Sequence, residues 1–109
     1  MLHPKVNEEH IIKALKDPNQ EVRGNAVRNN KITKQQLTDA LDDPHGLVHY
    51  YAIRNNNIDT SHITKVLNDN KNAGSFITKM EALKHDIVTE DHINTALKDD
   101  YSGVREMAV

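Results

Sequence analysis

The chain contains no cysteine, so disulfides, iron–sulfur clusters and zinc–thiolate centres are excluded at the outset. Tryptophan is absent and aromatic residues make up only 4%. A core must therefore be assembled from Ile, Leu, Val and Ala in thin layers. No apolar run approaches the roughly 18 residues a membrane-spanning helix needs, and no membrane is expected as a partner. The stretch Met1-Leu2-His3-Pro4-Lys5 lacks the apolar segment of a secretory signal, which makes a cytoplasmic location the default expectation. The four glycines, Gly24, Gly46, Gly74 and Gly103, are isolated from one another, so no glycine-rich phosphate loop is present. A formal net charge of −2 gives no global attraction toward nucleic acid. Abundant Asn and Lys without Trp hint at an AT-rich bacterial or phage genome.

What is there is a repeat. Leu15, Leu41, Leu67 and Leu97 stand 26, 26 and 30 residues apart, and each is followed two positions later by Asp17, Asp43, Asp69 or Asp99. Ala26, Ala52, Ala82 and Ala108 follow the same rhythm at 26, 30 and 26. The offset places four extra residues in the third copy, within positions 70–76. Several independent positions sharing one period mark a tandem array. The units run over about 5–30, 31–56, 57–86 and 87–109 of a single domain.

Each unit reads as two short helices. An aliphatic residue (Val6, Ile32, Ile58, Val88) precedes a capping residue (Asn7, Thr33, Asp59, Thr89) whose side chain can accept from the free N–H groups of the first turn. Thr33 and Gln36 have the spacing of a capping box. Leu37, Ala40 and Leu41, and likewise Ile63, Val66 and Leu67, then fall on one helical face. In the turns Asp17-Pro18 and Asp43-Pro44, Asp is expected to cap the second helix and Pro to take its first position. The second helix carries Val22, Ala26 and Val27 inward and ends in asparagines, which tolerate a left-handed helix end. So short an amphipathic helix cannot bury its stripe alone, and stacking neighbours supplies the cover. The expected architecture is all-α, an α-solenoid of four two-helix repeats of about 26 residues. No polar capping repeat flanks the array, which makes self-association through uncapped ends an expectation.

The run Asp17-Pro18-Asn19-Gln20-Glu21-Val22-Arg23 followed by Ala26, with Leu41-Asp42-Asp43-Pro44, resembles the leucine-rich repeat variant family and short HEAT-type repeats. The resemblance covers nearly the whole chain. It implies helical segments stacked in a superhelix, and a scaffold that binds protein or, in a minority of such arrays, nucleic acid. It is specific for architecture and poor for function. Some members of the variant family carry a cysteine-bound iron–sulfur cluster, which this chain cannot hold. The period, short for HEAT, and the insertion in the third copy depart from the pattern.

His10, His62 and His92 share one place in the first, third and fourth copies, with Gln36 in the second. Equivalent positions on stacked helices lie on the order of 8–10 Å apart, too far to share a metal ion. Capping or surface polarity accounts for them, and no cofactor is expected. The adjacent carboxylates Asp42-Asp43 and Asp99-Asp100 fall at turns, so their repetition speaks for structure rather than catalysis. An enzyme is not expected.

The basic residues of the second helices divide into two sets. At about 100° per residue, Arg23, His49, Lys79 and Arg105 sit at the core edge, where they are expected to bond the turn aspartates. Arg28, Arg54 and Lys84 point away from it, as an exposed ridge that is either simply solvated or a recognition surface. Tyr50 and Tyr51 replace Gly24 and Asn25 of the first copy. One of them is expected near Arg54, as an interface anchor, or packed between layers. Phe76 closes the insertion, either on a binding face or folded into the core. These six residues, Arg28, Arg54, Lys84, Tyr50, Tyr51 and Phe76, are the candidate partner-binding set. The expected function is a non-catalytic protein–protein interaction module, a bacterial or phage accessory protein engaging an acidic protein surface. The alternatives are binding of a nucleic-acid backbone by the basic ridge, and a structural part of a homo-oligomer.

Overall fold

The structure is a computed structural model that describes residues 5–70 and 75–109; positions 71–74 of the insertion and His3 fall outside the described residues. Among the described residues all regular structure is helical. Two compact units, Met1–Ile58 and Asp59–Val109, can be distinguished. The first contains α1 (Glu8–Leu15), α2 (Gln20–Val27), α3 (Lys34–Ala40) and α4 (Gly46–Ile53); the second contains α5 (Thr60–Leu67), α6 (Ser75–Ala82), α7 (Glu90–Ala96) and α8 (Ser102–Met107).

Local chemistry starts the helices. Asn7, Thr33, Asp59 and Thr89 are the N-caps of α1, α3, α5 and α7, and all four make capping boxes. Gln36 closes its box with Oε1, which accepts from the Thr33 N–H at 2.9 Å. The histidines do the same with Nδ1: His10 accepts from the Asn7 N–H at 3.2 Å, His62 from Asp59 at 2.9 Å and His92 from Thr89 at 3.0 Å. His62 and His92 are buried, so their positions are interior caps rather than surface polarity. A hydrogen bond from the Ser61 hydroxyl, helped by the backbone N–H groups of Ser61 and His62, holds the Asp59 carboxyl below its ordinary value.

The turns into the second helices differ from expectation. Asn19 and His45, not the aspartates, cap α2 and α4, so Pro18 and Pro44 precede the cap instead of opening the helix. The aspartates fold the chain one step earlier. Asp17 Oδ1 accepts from the Asn19 N–H at 2.8 Å, Asp43 from His45 at 2.9 Å and Asp99 from Tyr101 at 2.9 Å. Each carboxylate mimics a backbone turn two residues long. Val22, assigned inward, is 38% exposed.

The first unit packs α1 on α2, α3 on α4, and α2 against α4, around Ile11, Val27, Leu37, Val48 and Ile53. In the second, α5 packs on α6 and α7, and α8 on α6 and α7. Ile63 and Ala82 are fully buried there, and Ala96, Val104 and Ala108 form a cluster with Phe76, Met80, Leu83 and Ile93 around it.

The basic residues at the core edge bond the turns, as their position on the wheel predicts. Arg23 donates through Nε and Nη2 to the two Asp43 oxygens at 2.8 and 3.2 Å and through Nη1 to the Asp17 carbonyl at 2.8 Å. His49 Nε2 meets the Asp43 carbonyl, and Arg105 donates to the carbonyls of Asp99 and Asp100 at 2.7 and 3.1 Å. Lys79 reaches Asp99 Oδ2 at 2.6 Å and Asn70 Oδ1 at 2.8 Å. Burial raises the Asp99 carboxyl, but the Lys79 and Tyr101 hydrogen bonds and the charges of Lys79 and Arg105 outweigh it and hold it below its ordinary value.

The helix ends use asparagine differently from the prediction. α2 and α4 end on Arg28 and Arg54 in right-handed conformation, and the asparagines that follow act through their side chains. Asn29 Oδ1 accepts from the Lys31 N–H and Asn55 Oδ1 from the Asn57 N–H, both at 2.8 Å. Asn55 Nδ2 donates to the carbonyls of Val27 at 2.8 Å and Asn29 at 3.2 Å, and Asn57 Nδ2 to Asn30 at 2.8 Å and Ile32 at 3.2 Å. These bonds tie the end of α4 to the end of α2.

Candidate functional site

Four of the six candidate residues come together in the first unit. Arg28, the C-cap of α2, lies with its guanidinium carbon 4.9 Å from the centre of the Tyr51 ring. Arg54, at the end of α4, lies 5.2 Å over the Tyr50 ring, with Nη1 3.4 Å from the Tyr50 hydroxyl. The two rings are 6.1 Å apart and tilted by 55°. Both arginines are exposed and both tyrosines half-buried. A guanidinium over a ring gains about 0.5–1 kcal/mol at an exposed site, and its flat face is covered while its N–H edge stays available.

The platform under Arg28 depends on a residue that sequence reading passed over. The Tyr51 ring lies against α2 at Gly24, where a Cβ would stand 2.9 Å from Cδ2 and 3.1 Å from Cε2 of the ring. Real Cβ atoms do not approach that closely, so the absent side chain at position 24 lets the ring settle. The available signal was a glycine inside a helix with a bulky aromatic pair at the equivalent place one period later.

Arg28, Tyr51, Arg54 and Asn55 line one cleft of about 200 Å³. Among the described residues no acidic one lines it. Among the described residues, Arg28 has the Tyr51 ring and no carboxylate. Asn55 spends both its amide nitrogen and its oxygen on backbone groups, so this wall is rigid and already satisfied. Sequence reading missed this role of Asn55 too, although Asn29 and Asn55 recur at the period.

The other two candidates lie in the second unit. Lys84 Nζ pairs with Glu81 at 2.9 Å. Phe76 is half-buried, stacks on Tyr101 at 4.3 Å between ring centres with planes 28° apart, and packs on the Ala96, Val104 and Ala108 cluster. Its placement is the folded-back one of its two alternatives.

Larger grooves occur within each unit. One of about 290 Å³ in the first has the saturated Arg23–Asp43 pair in its wall. One of about 470 Å³ in the second mixes Lys98 with Asp91, Asp99 and Asp100. Neither presents a cation with no acid beside it. Among the described residues no cluster of His, Asp or Glu is arranged to hold a metal ion, and no helix is long and apolar enough to cross a membrane.

No family model, curated protein or solved structure matches the chain.

Proposed function

We propose that this chain is a non-catalytic protein–protein interaction module whose contact face is the Arg28, Tyr50, Tyr51 and Arg54 surface, and whose partner presents an acidic protein surface. The observation that carries the reading is the pairing of each exposed guanidinium with a tyrosine ring beside a cleft that, among the described residues, no acid lines. Tyrosine and arginine are the residue types on which binding energy concentrates. Rings that already hold the guanidinium groups reduce the entropy lost on docking. The histidines and aspartates that acid–base chemistry would need are engaged in caps and turns, which favours binding over catalysis.

In this reading the chain is a solenoid of four two-helix repeats, akin to leucine-rich repeat variant and short HEAT-type arrays and working as a scaffold inside a bacterial or phage-infected cell. The recurrence of one capping box at the head of α1, α3, α5 and α7 supports the repeat. Nucleic-acid binding is the weaker reading, because the cationic surface in the first unit is only two arginines wide and few phosphate contacts give weak binding at physiological salt.

The test is capture of partners on the tagged chain from a lysate of its source cells, with and without nuclease, beside an Arg28→Glu/Arg54→Glu variant. An acidic protein that survives nuclease and is lost with the variant is the expected result. Material that disappears with nuclease would transfer the assignment to nucleic acid. The same protein retained by the variant would move the contact face elsewhere.

A further inference from the structure

We infer that the cleft between Arg28 and Arg54 is a receptor for a single carboxylate side chain, a glutamate or aspartate in an acidic segment of the partner, held fork to fork by Arg28. This rests on the protein-binding reading above and names the group that reading leaves open. The inference begins from the Gly24–Tyr51–Arg28 stack. Gly24 lets the ring lie on α2, the ring covers one face of the guanidinium, and among the described residues the Arg28 cation has no acid beside it. A guanidinium so held offers its N–H edge in a fixed plane. The group that fits such an edge with two parallel hydrogen bonds is a planar carboxylate.

Donor counting separates a carboxylate from a phosphate. Asn55 has no donor to spare, because its amide donates to the Val27 and Asn29 carbonyls. Arg54 is partly committed to the Tyr50 hydroxyl and ring. The dependable donors are therefore the two on the Arg28 edge. They match the two oxygens of a carboxylate and leave a phosphate monoester, with three acceptor oxygens, under-satisfied. A phosphodiester backbone carries one charge per residue and needs a run of cations to bind well. Arg54 is not counted among the specific donors. The cleft, about 200 Å³ in all, leaves room for one carboxylate side chain.

The experiment titrates the full chain with two probes of similar charge, acetyl-hexaglutamate-amide and a six-residue thymidine oligonucleotide. Nuclear magnetic resonance follows the Arg28 Nε–H and the Tyr51 ring. The wild type is compared with Arg28→Lys, which keeps the charge and loses the fork, and with Gly24→Ala, which keeps both and moves the ring. The expected result is saturable shifts at Arg28 and Tyr51 with the glutamate peptide, weakened at least about fivefold in Arg28→Lys and about threefold in Gly24→Ala. The oligonucleotide should bind no more tightly than the peptide. Equal affinity of wild type and Arg28→Lys would overturn the receptor and leave only an electrostatic field, with the acidic-partner reading intact. Tighter binding of the oligonucleotide, or no shift at Arg28 with either probe, would overturn the receptor as well. In the first of these cases the protein-binding reading would fall with it.

Discussion

Replacing Lys79 by methionine strips the partner from a buried carboxylate. The Lys79 and Asp99 side chains are 3% and 9% exposed, with Nζ 2.6 Å from Oδ2. Removing one member of a buried pair costs about 3–5 kcal/mol, because the other charge stays behind uncompensated. Asp99 would keep the Tyr101 N–H at 2.9 Å and the charge of Arg105, which sets the expected loss near the lower end, about 3 kcal/mol. With a urea slope of about 1–2 kcal/mol per molar, the unfolding midpoint should fall by about 1.5 M or more. The double variant Lys79→Met/Asp99→Asn removes the orphaned charge while Asn retains an oxygen for Tyr101. It should recover about 2 kcal/mol of the loss. A double variant no more stable than the single one would show that the cost lies in the packing of the lysine stem or in its bond to Asn70, and the orphan-charge reasoning would fail. Acid gives a second readout. The folded Asp99 carboxyl lies below its ordinary value of 3.8, so its stabilisation is present above that pH and is lost as pH falls through the lower folded value. The wild-type and Lys79→Met curves should therefore converge on acidification below about pH 4.

The capping boxes give a conservative substitution. His10→Gln should leave stability within about 0.5 kcal/mol, since Gln36 performs the same task, whereas His10→Ala should cost α1 about 0.5–1 kcal/mol, read as faster amide exchange in its first turn. Asn55→Ala removes the amide that serves the Val27 and Asn29 carbonyls. A loss of about 2 kcal/mol in urea unfolding is expected, and a loss under about 0.5 kcal/mol would mean those carbonyls find water. Gly24→Ala gains up to about 1 kcal/mol of helix propensity but displaces the Tyr51 ring. Its net stability should change little while the ring-current shifts of the Arg28 side-chain protons collapse, and shifts that persist would refute the stack.

The sequence revealed structure wherever one residue did one local job at a fixed period. The four N-caps, the aliphatic face of α3 and α5, and the bonding of Arg23, Lys79 and Arg105 to turn aspartates could all be read, because each follows from hydrogen-bond geometry within a few residues or from helical phase. The turns were misassigned because Asp, Asn and His can each accept from a backbone N–H two residues on. Pattern alone does not say whether Asp17 or Asn19 is the last acceptor before the helix. Val22 was placed inward because a wheel assumes an even neighbour on every side. Helix ends fray that assumption, since a residue in a first turn has cover only if the next element reaches it. The asparagines were read for backbone tolerance, yet the bonds from Asn55 and Asn57 to carbonyls at the end of α2 cross from one helix to another, which no local rule anticipates.

The candidate site follows the opposite logic. Most residues that keep the period are absorbed by caps, turns and core: His62 and His92 close capping boxes, Asp43 receives Arg23, and Ala52 is fully buried; Arg28 and Arg54 keep it and stay exposed. What sets the proposed contact face apart is where the copies differ beneath those arginines. Gly24 and Asn25 stand at the equivalent of Tyr50 and Tyr51, and that mismatch lets a large ring from α4 lie against bare backbone in α2. Had the first copy carried a tyrosine or even an alanine at position 24, Tyr51 could not rest there and Arg28 would lose its support. The proposed recognition surface thus rests on a break in the repeat at two places that pack against each other. Conservative changes at Gly24 should consequently affect binding more than folding, and changes at Asn55 should affect folding at least as much as binding.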